Sequence, residues 1–296
     1  MSVAVPDPEH ALTPSGNLRR RLLVSHLAQS GAIAAAILAV AVLGVLIGET
    51  VVRGAGALSW SFLTSDLPLS PGAAGGIGPA LLGSVVVASI AVAIALVIGV
   101  LTAIYLVEIA SPRTTAGVRL VLDLMAGLPE IVVGMFIFAL IVVHFKQSGL
   151  AGSLGLSIVM VPVIARSTLE ALGRVPILWT EAADALGVAR WRRIVGVTLP
   201  GAAAGIVTAG ILALARGVGE TAPLLFSTSV FGAHVQLNPL RPMPNIPIEL
   251  LTLLEAGYPS ALRMAWASAL LLMAFILLVN IVARSWLHRA ERRRGL

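Results

Sequence analysis

Between Pro79 and Val107 the chain runs for 29 residues without a charged side chain. A helix rises about 1.5 Å per residue, and ~20 residues cover ~30 Å of hydrocarbon. Inside lipid, backbone N–H and C=O groups have no water to bind, so such a run must satisfy them within itself, as a helix. Comparable apolar runs cover about 27–52, 120–143, 153–172, 201–226 and 263–282. Hydrophobic residues make up 58% of the 296 and charged ones only 11%, far from the balance of a water-soluble globule. The pattern predicts an all-α, polytopic integral membrane protein with six transmembrane helices.

Charge placement predicts the topology. Arg19, Arg20 and Arg21 precede the first run, and Arg113 and Arg119 follow the second. Arg166, Arg174, Arg190, Arg192 and Arg193 lie at or after the fourth run, and Arg284, Arg289, Arg292, Arg293 and Arg294 follow the sixth. The opposite side receives only Arg53, Lys146, Arg241 and Arg263. Six crossings with both termini in the cytoplasm satisfy the positive-inside bias. Residues 1–18, with Pro6, Pro8 and Pro14, read as a disordered cytoplasmic tail, 19–283 as the six-helix domain, and 284–296 as a basic cytoplasmic tail. The outer segment 227–261 carries five prolines and is expected to lie open to solvent, Asn245 included.

The basic excess, net +6, falls at the ends of apolar runs, which fits a lipid bilayer as partner and not nucleic acid. Without cysteine there is no thiolate metal site, and the five histidines show no ligand spacing. Lys146 is the only lysine and is followed by Gln147, so the chain has no phosphate-cradling Walker A loop and is not expected to hydrolyse ATP.

One polar stretch interrupts this pattern. Residues 176–200 read PILWTEAADALGVARWRRIVGVTLP. Thr180 is a natural N-cap, which puts Glu181 in the first turn where a carboxylate favours the helix dipole. Ala182 and Ala183 give a small-residue surface that a partner can approach, and Gly187 is a natural stop. A second short helix follows, with Trp191, Ile194 and Val195 against three arginines. A loop lying on lipid headgroups has a similar composition. The spacing, however, resembles the E-A-A-x3-G-x9-I-x-L-P cytoplasmic loop of ABC-importer permeases, with Val197 in place of Ile. That resemblance implies the transmembrane domain of a type I ABC importer, with Glu181, Ala182, Ala183, Asp184 and Gly187 facing an ATP-hydrolysing subunit.

In the fifth run, ALARGVGETAPLLFST (213–228), Arg216 and Glu220 stand four apart on one helix face and can pair. Arg216 falls about 22 Å along a helix starting at Gly201, a depth at which a charge usually faces a cavity, a pathway or a partner. Gly217, Gly219 and Pro223 loosen the helix there, and freed N–H groups are expected to help hold an anion. A pair that only fixes packing is the plainer reading.

The same stretch, with GGIGPALLGS (75–84), GVLTAIYLVE (99–108), GLPEIVVGMF (127–136) and VPVIARSTLEAL (161–172), resembles a membrane subunit of bacterial phosphate-specific ABC importers. This resemblance covers about residues 75–226. It implies Arg216, Glu220 and Thr221 on a phosphate pathway in the bacterial cytoplasmic membrane. It also implies a second homologous permease subunit, two ATP-binding subunits carrying ATP and Mg2+, and an extracytoplasmic phosphate-binding protein. Glu130 departs from the family, which usually has Ser there; a carboxylate beside a phosphate path repels unless paired, for instance by Arg166. Arg166 is itself a pathway candidate or an interfacial snorkelling residue. Rival readings are a sulfate or molybdate permease of the same class, an ion-gradient carrier with Glu130 or Glu220 as proton site, and a non-transporting scaffold.

Overall fold

Side-chain size decides how closely two helices approach, and one extensively packed pair organises the larger part of this chain. The computed structural model describes residues 18–68, 75–228 and 234–293. The expected disordered tail therefore lies outside the described residues, apart from Leu18, which is already helical. Two units are distinct, residues 1–52 and 53–296. Helix α1 (Leu18–Gly54) supplies all the described residues of the first unit, its last two residues falling in the second, and starts nine residues before the apolar run at Leu27.

In the second unit, a short helix α2 (Trp60–Thr64), N-capped by the Ser59 hydroxyl, leads towards α3 (Gly78–Glu108). Helix α3 packs along α6 (Gly149–Gly173). Ala80, Ser84, Ala88, Ala91, Ala95, Gly99 and Ala103 fall three or four apart on α3 and are buried. A Cβ at Gly99 would lie 2.8 Å from the Ile164 side chain, so only glycine permits this approach. Among the described residues five helices are long and apolar enough to cross a membrane, and the count is six if one bent pair is taken as a single span.

That bent pair covers the residues of the expected third span, 120–143, which are not one helix. Helix α4 (Pro112–Gly127) and α5 (Glu130–Phe145) meet at 97°. Proline pushes the residue before it out of helical conformation, and both Leu128 (φ −66°, ψ 135°) and Pro129 (φ −58°, ψ 127°) are extended. Helix α4 also begins in what the sequence suggests is a turn, capped by Ser111.

After the short helix α7 (Ile177–Ala185) comes α8 (Arg190–Gly217). It differs from the expected 201–226 at both ends. It starts eleven residues earlier and passes through a wide π turn at Ile194–Thr198, just before Pro200, which contributes no N–H to the helical ladder. It then breaks after Gly217, and the chain resumes as α9 (Ala222–Ser227) with Pro223 in its first turn.

The segment expected to be external, 227–261, contains helix α10 (Ile246–Ala256), and its entry is buried, contrary to the expected exposure. Asn245 is 0% exposed: its carbonyl accepts from Ile248 N (3.1 Å) and its amide donates to Thr228 Oγ1 (2.7 Å). Ile246 N donates to Ser84 Oγ on α3 at 2.8 Å. A proline-rich stretch can thus fold inward because side-chain partners replace the missing backbone ladder. Glu249 is buried in the same turn, and burial pushes its carboxyl above the usual carboxylate range. The last helix, α11 (Pro259–Arg293), packs on α8 and α10; most of the expected basic tail is a continuation of this helix rather than a separate segment.

The cysteine-free chain makes this burial testable with single cysteines. Leu237→Cys, at a 64% exposed position, should react with a water-soluble maleimide, and Asn245→Cys should react at least tenfold more slowly. Equal rates would mean that the outer segment does not fold inward.

Candidate functional site

Two charged clusters stand at helix ends, and the first belongs to the 176–200 loop. Helix α7 begins directly after Pro176, so Thr180 is not its cap; the Thr180 hydroxyl instead donates to Ile177 O (2.8 Å). Proline's fixed φ starts the helix one turn earlier than the hydroxyl suggests, and Glu181 lies mid-helix. The stop is as expected. Gly187 has φ +70°, a conformation costly for residues with a Cβ, and its N–H donates to Asp184 O (3.0 Å). Glu181, Ala182 and Gly187 are exposed, whereas Ala183 is buried. Ile177, Leu178 and Leu186 are 69%, 70% and 83% exposed, an apolar surface beside those residues.

Asp184 stays exposed, its side chain 55% accessible, and also reaches an arginine of the next helix. It accepts from Arg193 Nη1 at 3.3 Å, and Arg193 Nη2 lies 2.5 Å from Glu108 Oε2. The Arg193 and Glu108 side chains are only 14% and 7% exposed. This clasp ties α7 to the first turn of α8 and to the last turn of α3. Sequence reasoning missed it because 85 residues separate Glu108 from Arg193. Its only local signal is a lone carboxylate closing a 29-residue apolar run.

The second cluster sits at the α8–α9 break. Because α8 ends at Gly217, Arg216 lies in its last turn instead of mid-span. Arg216 Nε donates to Glu220 Oε1 (3.2 Å), and Nη2 donates to Glu130 Oε1 (2.7 Å). Arg216 stands near the negative end of the α8 dipole and Glu130 in the first turn of α5, at a positive end, so both charges are favourably placed. Glu130 pairs with Arg216 and not with Arg166, because the 97° bend starts α5 at Glu130. Small residues allow the approach: a Cβ on Gly134 would lie 2.8 Å from Ala222 O, and the Met160 side chain fills the space beside Gly217.

Three of the amides at the break are already used. Val218, Gly219 and Glu220 donate to Leu214, Arg216 and Gly217 carbonyls in tight turns. The charged donor at the break is the Arg216 guanidinium. Thr221 caps nothing with its side chain; its carbonyl accepts from Leu224 and Leu225 N. Arg166 stands elsewhere, with Asp123 (2.6 Å) and Leu122 O (3.0 Å), lining a cleft with Arg119 and Glu170.

The Arg193 clasp generates a prediction. Removing one partner of a buried pair costs about 3–5 kcal/mol because the other charge is left uncompensated. Arg193→Gln should lower the melting temperature of the detergent-solubilised protein, and Arg193→Gln with Glu108→Gln should recover most of the loss. A double variant no more stable than the single one would show that the two residues do not form a buried pair.

Residues 95–295, spanning α7, the clasp and the Arg216 cluster, match the family described as binding-protein-dependent transport system inner membrane component. The phosphate transport system permease protein PstA of Yersinia pestis is 36% identical over 238 residues, covering 80% of each chain. The permease named PstA 1 of Mycobacterium tuberculosis is also 36% identical, over 75% of this chain and 73% of the relative. Among solved structures, an inward-facing crystal form of the MetNI methionine ABC transporter aligns with TM-score 0.57 at 19% identity, covering 70% of this chain and 92% of that one. The fold is that of a type I ABC importer membrane domain, and the chain belongs to the inner membrane components of binding-protein-dependent transport systems.

Proposed function

We propose that this chain is a permease subunit of an ATP-driven importer that carries inorganic phosphate across the bacterial cytoplasmic membrane. The observation that carries this reading is Arg216: a guanidinium held by two carboxylates at a helix break, 55% exposed, inside the region matching relatives named as phosphate permeases. Arginine presents a planar set of donors suited to phosphate oxygens. Arg216, Glu220, Thr221 and Glu130 border the pathway in this reading, with Arg166 on a separate inner cleft.

Energy enters at α7. A second homologous permease subunit, two ATP-binding subunits carrying ATP and Mg2+, and an extracytoplasmic phosphate-binding protein complete the complex. Closure of the ATP-binding subunits pushes the surface of Glu181, Ala182 and Gly187. Asp184 and Arg193 pass that push through Glu108 to α3, and α3 carries α6 with it because their packing leaves no slack. The pathway then alternates between the two sides of the membrane. This chain forms no covalent intermediate and has no ATPase site of its own. Both termini and the α7 loop face the cytoplasm, in keeping with the arginine distribution.

Three measurements test this. In intact cells an impermeant thiol reagent should label Leu237→Cys and not Ala189→Cys; outside labelling of position 189 would refute the docking of α7 on ATPase subunits. Gly187→Asp should leave the protein in the membrane while reducing uptake and co-purification of the ATPase, because it puts a Cβ and a charge at a φ of +70°. Arg216→Gln should abolish radiolabelled phosphate uptake, Arg216→Lys should be partly active, and Arg216→Gln with Glu220→Gln should stay inactive even at normal membrane abundance. Full uptake by that double variant would reduce the cluster to a packing pair.

A further inference from the structure

The Arg216 guanidinium is not used up by its two partners. It carries five N–H donors. The Nε hydrogen goes to Glu220 and one Nη2 hydrogen to Glu130, and among the described residues Nη1 makes no hydrogen bond. The guanidinium can therefore take an anion without displacing either carboxylate. The open positions are the two Nη1 hydrogens and the second Nη2 hydrogen, next to the Nη2 amino group that Glu130 already holds at 2.7 Å. Any oxyanion seated there has the Glu130 carboxylate as its immediate neighbour.

An ionised carboxylate only accepts hydrogen bonds. Sulfate and molybdate at neutral pH offer only acceptor oxygens, so in this seat they would bring oxygen against oxygen, two anions without a proton between them. Phosphate near neutral pH carries one or two O–H groups. It can accept from Arg216 and donate to Glu130 in the same pose, and an O–H···O⁻ bond is among the stronger ones. A site built to bond a hydroxyl rejects the analogue lacking it far more strongly than a site that merely fits it.

Resting on the phosphate-permease reading above, we propose that Glu130 is a specificity-determining residue, which restricts the Arg216 seat to oxyanions that still carry a proton. Glu220 has a different part. It is only 16% exposed and bonds Nε, so it orients the guanidinium and balances its charge.

The test uses the assembled complex of permease and ATP-binding subunits in lipid nanodiscs, without the binding protein, so that no other component selects the ion. Binding of radiolabelled phosphate is measured in competition with unlabelled sulfate, with Arg216→Gln as the blank. In the wild type, half-displacement by sulfate should need at least about 100-fold more than half-displacement by unlabelled phosphate. Glu130→Gln and Glu130→Ser, either of which suffices if the other fails to assemble, should narrow that ratio to within about tenfold. Glu130→Asp, which keeps a carboxylate, should stay near the wild-type ratio. An unchanged ratio in Glu130→Gln or Glu130→Ser, with binding still dependent on Arg216, would overturn the role of Glu130 alone. Equal competition by sulfate in the wild type would do the same. Phosphate binding that persists in Arg216→Gln, or is not measurable in the wild type, would overturn both this proposal and the reading beneath it.

Discussion

The close approach of α3 and α6 is the constraint on which the rest of this structure depends. In a bilayer the surrounding lipid is as apolar as leucine, so two helices gain little by hiding apolar surface from it. Association must come from contact at short range, and small residues permit that. On α3 the stripe through Ala88, Ala91, Ala95 and Gly99 brings backbone towards backbone, with Ile164 and Ala165 of α6 filling the seam. Once this pair is set, α8 packs on α6, α10 seats its entry against Ser84, and α5 and α9 meet at Gly134.

Both charged clusters fall where a helix stops, and the same reasoning accounts for both. A charge within an unbroken apolar helix would be costly, whereas a helix end offers a dipole of known sign and room for a partner. The α8 break and the α4–α5 bend bring a helix C-terminus, with Arg216, to a helix N-terminus, with Glu130. The clasp of Glu108, Arg193 and Asp184 sits likewise where α3 ends and α8 begins. Packing between these ends is the route by which, in the proposed mechanism, a push on α7 reaches the α3–α6 pair. The helix that carries Arg216 starts at the clasp, so the two clusters share one element, α8.

Much of the site was legible in the sequence because its signals are local. The four-residue spacing of Arg216 and Glu220, the glycine stop at Gly187 and the apolar run lengths depend on near neighbours only. What was not legible depends on contacts between distant segments. Pro129 marks an interruption, but nothing nearby indicates a 97° bend, and it is the bend that gives Glu130 to Arg216 instead of Arg166. Thr180 carries a good capping side chain, yet Pro176 starts the helix first. Asn245 sits among prolines and so suggests an exposed loop, but Thr228 and Ser84 supply its turn with partners. The clasp pairs residues 85 apart, and no periodicity reports such a contact.

The central claim is that partner ATPases, acting through α7 and the α3–α6 pair, drive phosphate past Arg216. The most direct measurement is phosphate accumulation in proteoliposomes containing the whole complex and its binding protein, with ionophores present to collapse ion gradients. The account predicts accumulation that requires ATP hydrolysis and is unaffected by the ionophores. Accumulation without ATP that disappears when the proton gradient is collapsed would contradict it, and would make Glu130 or Glu220 the proton site of an ion-gradient carrier.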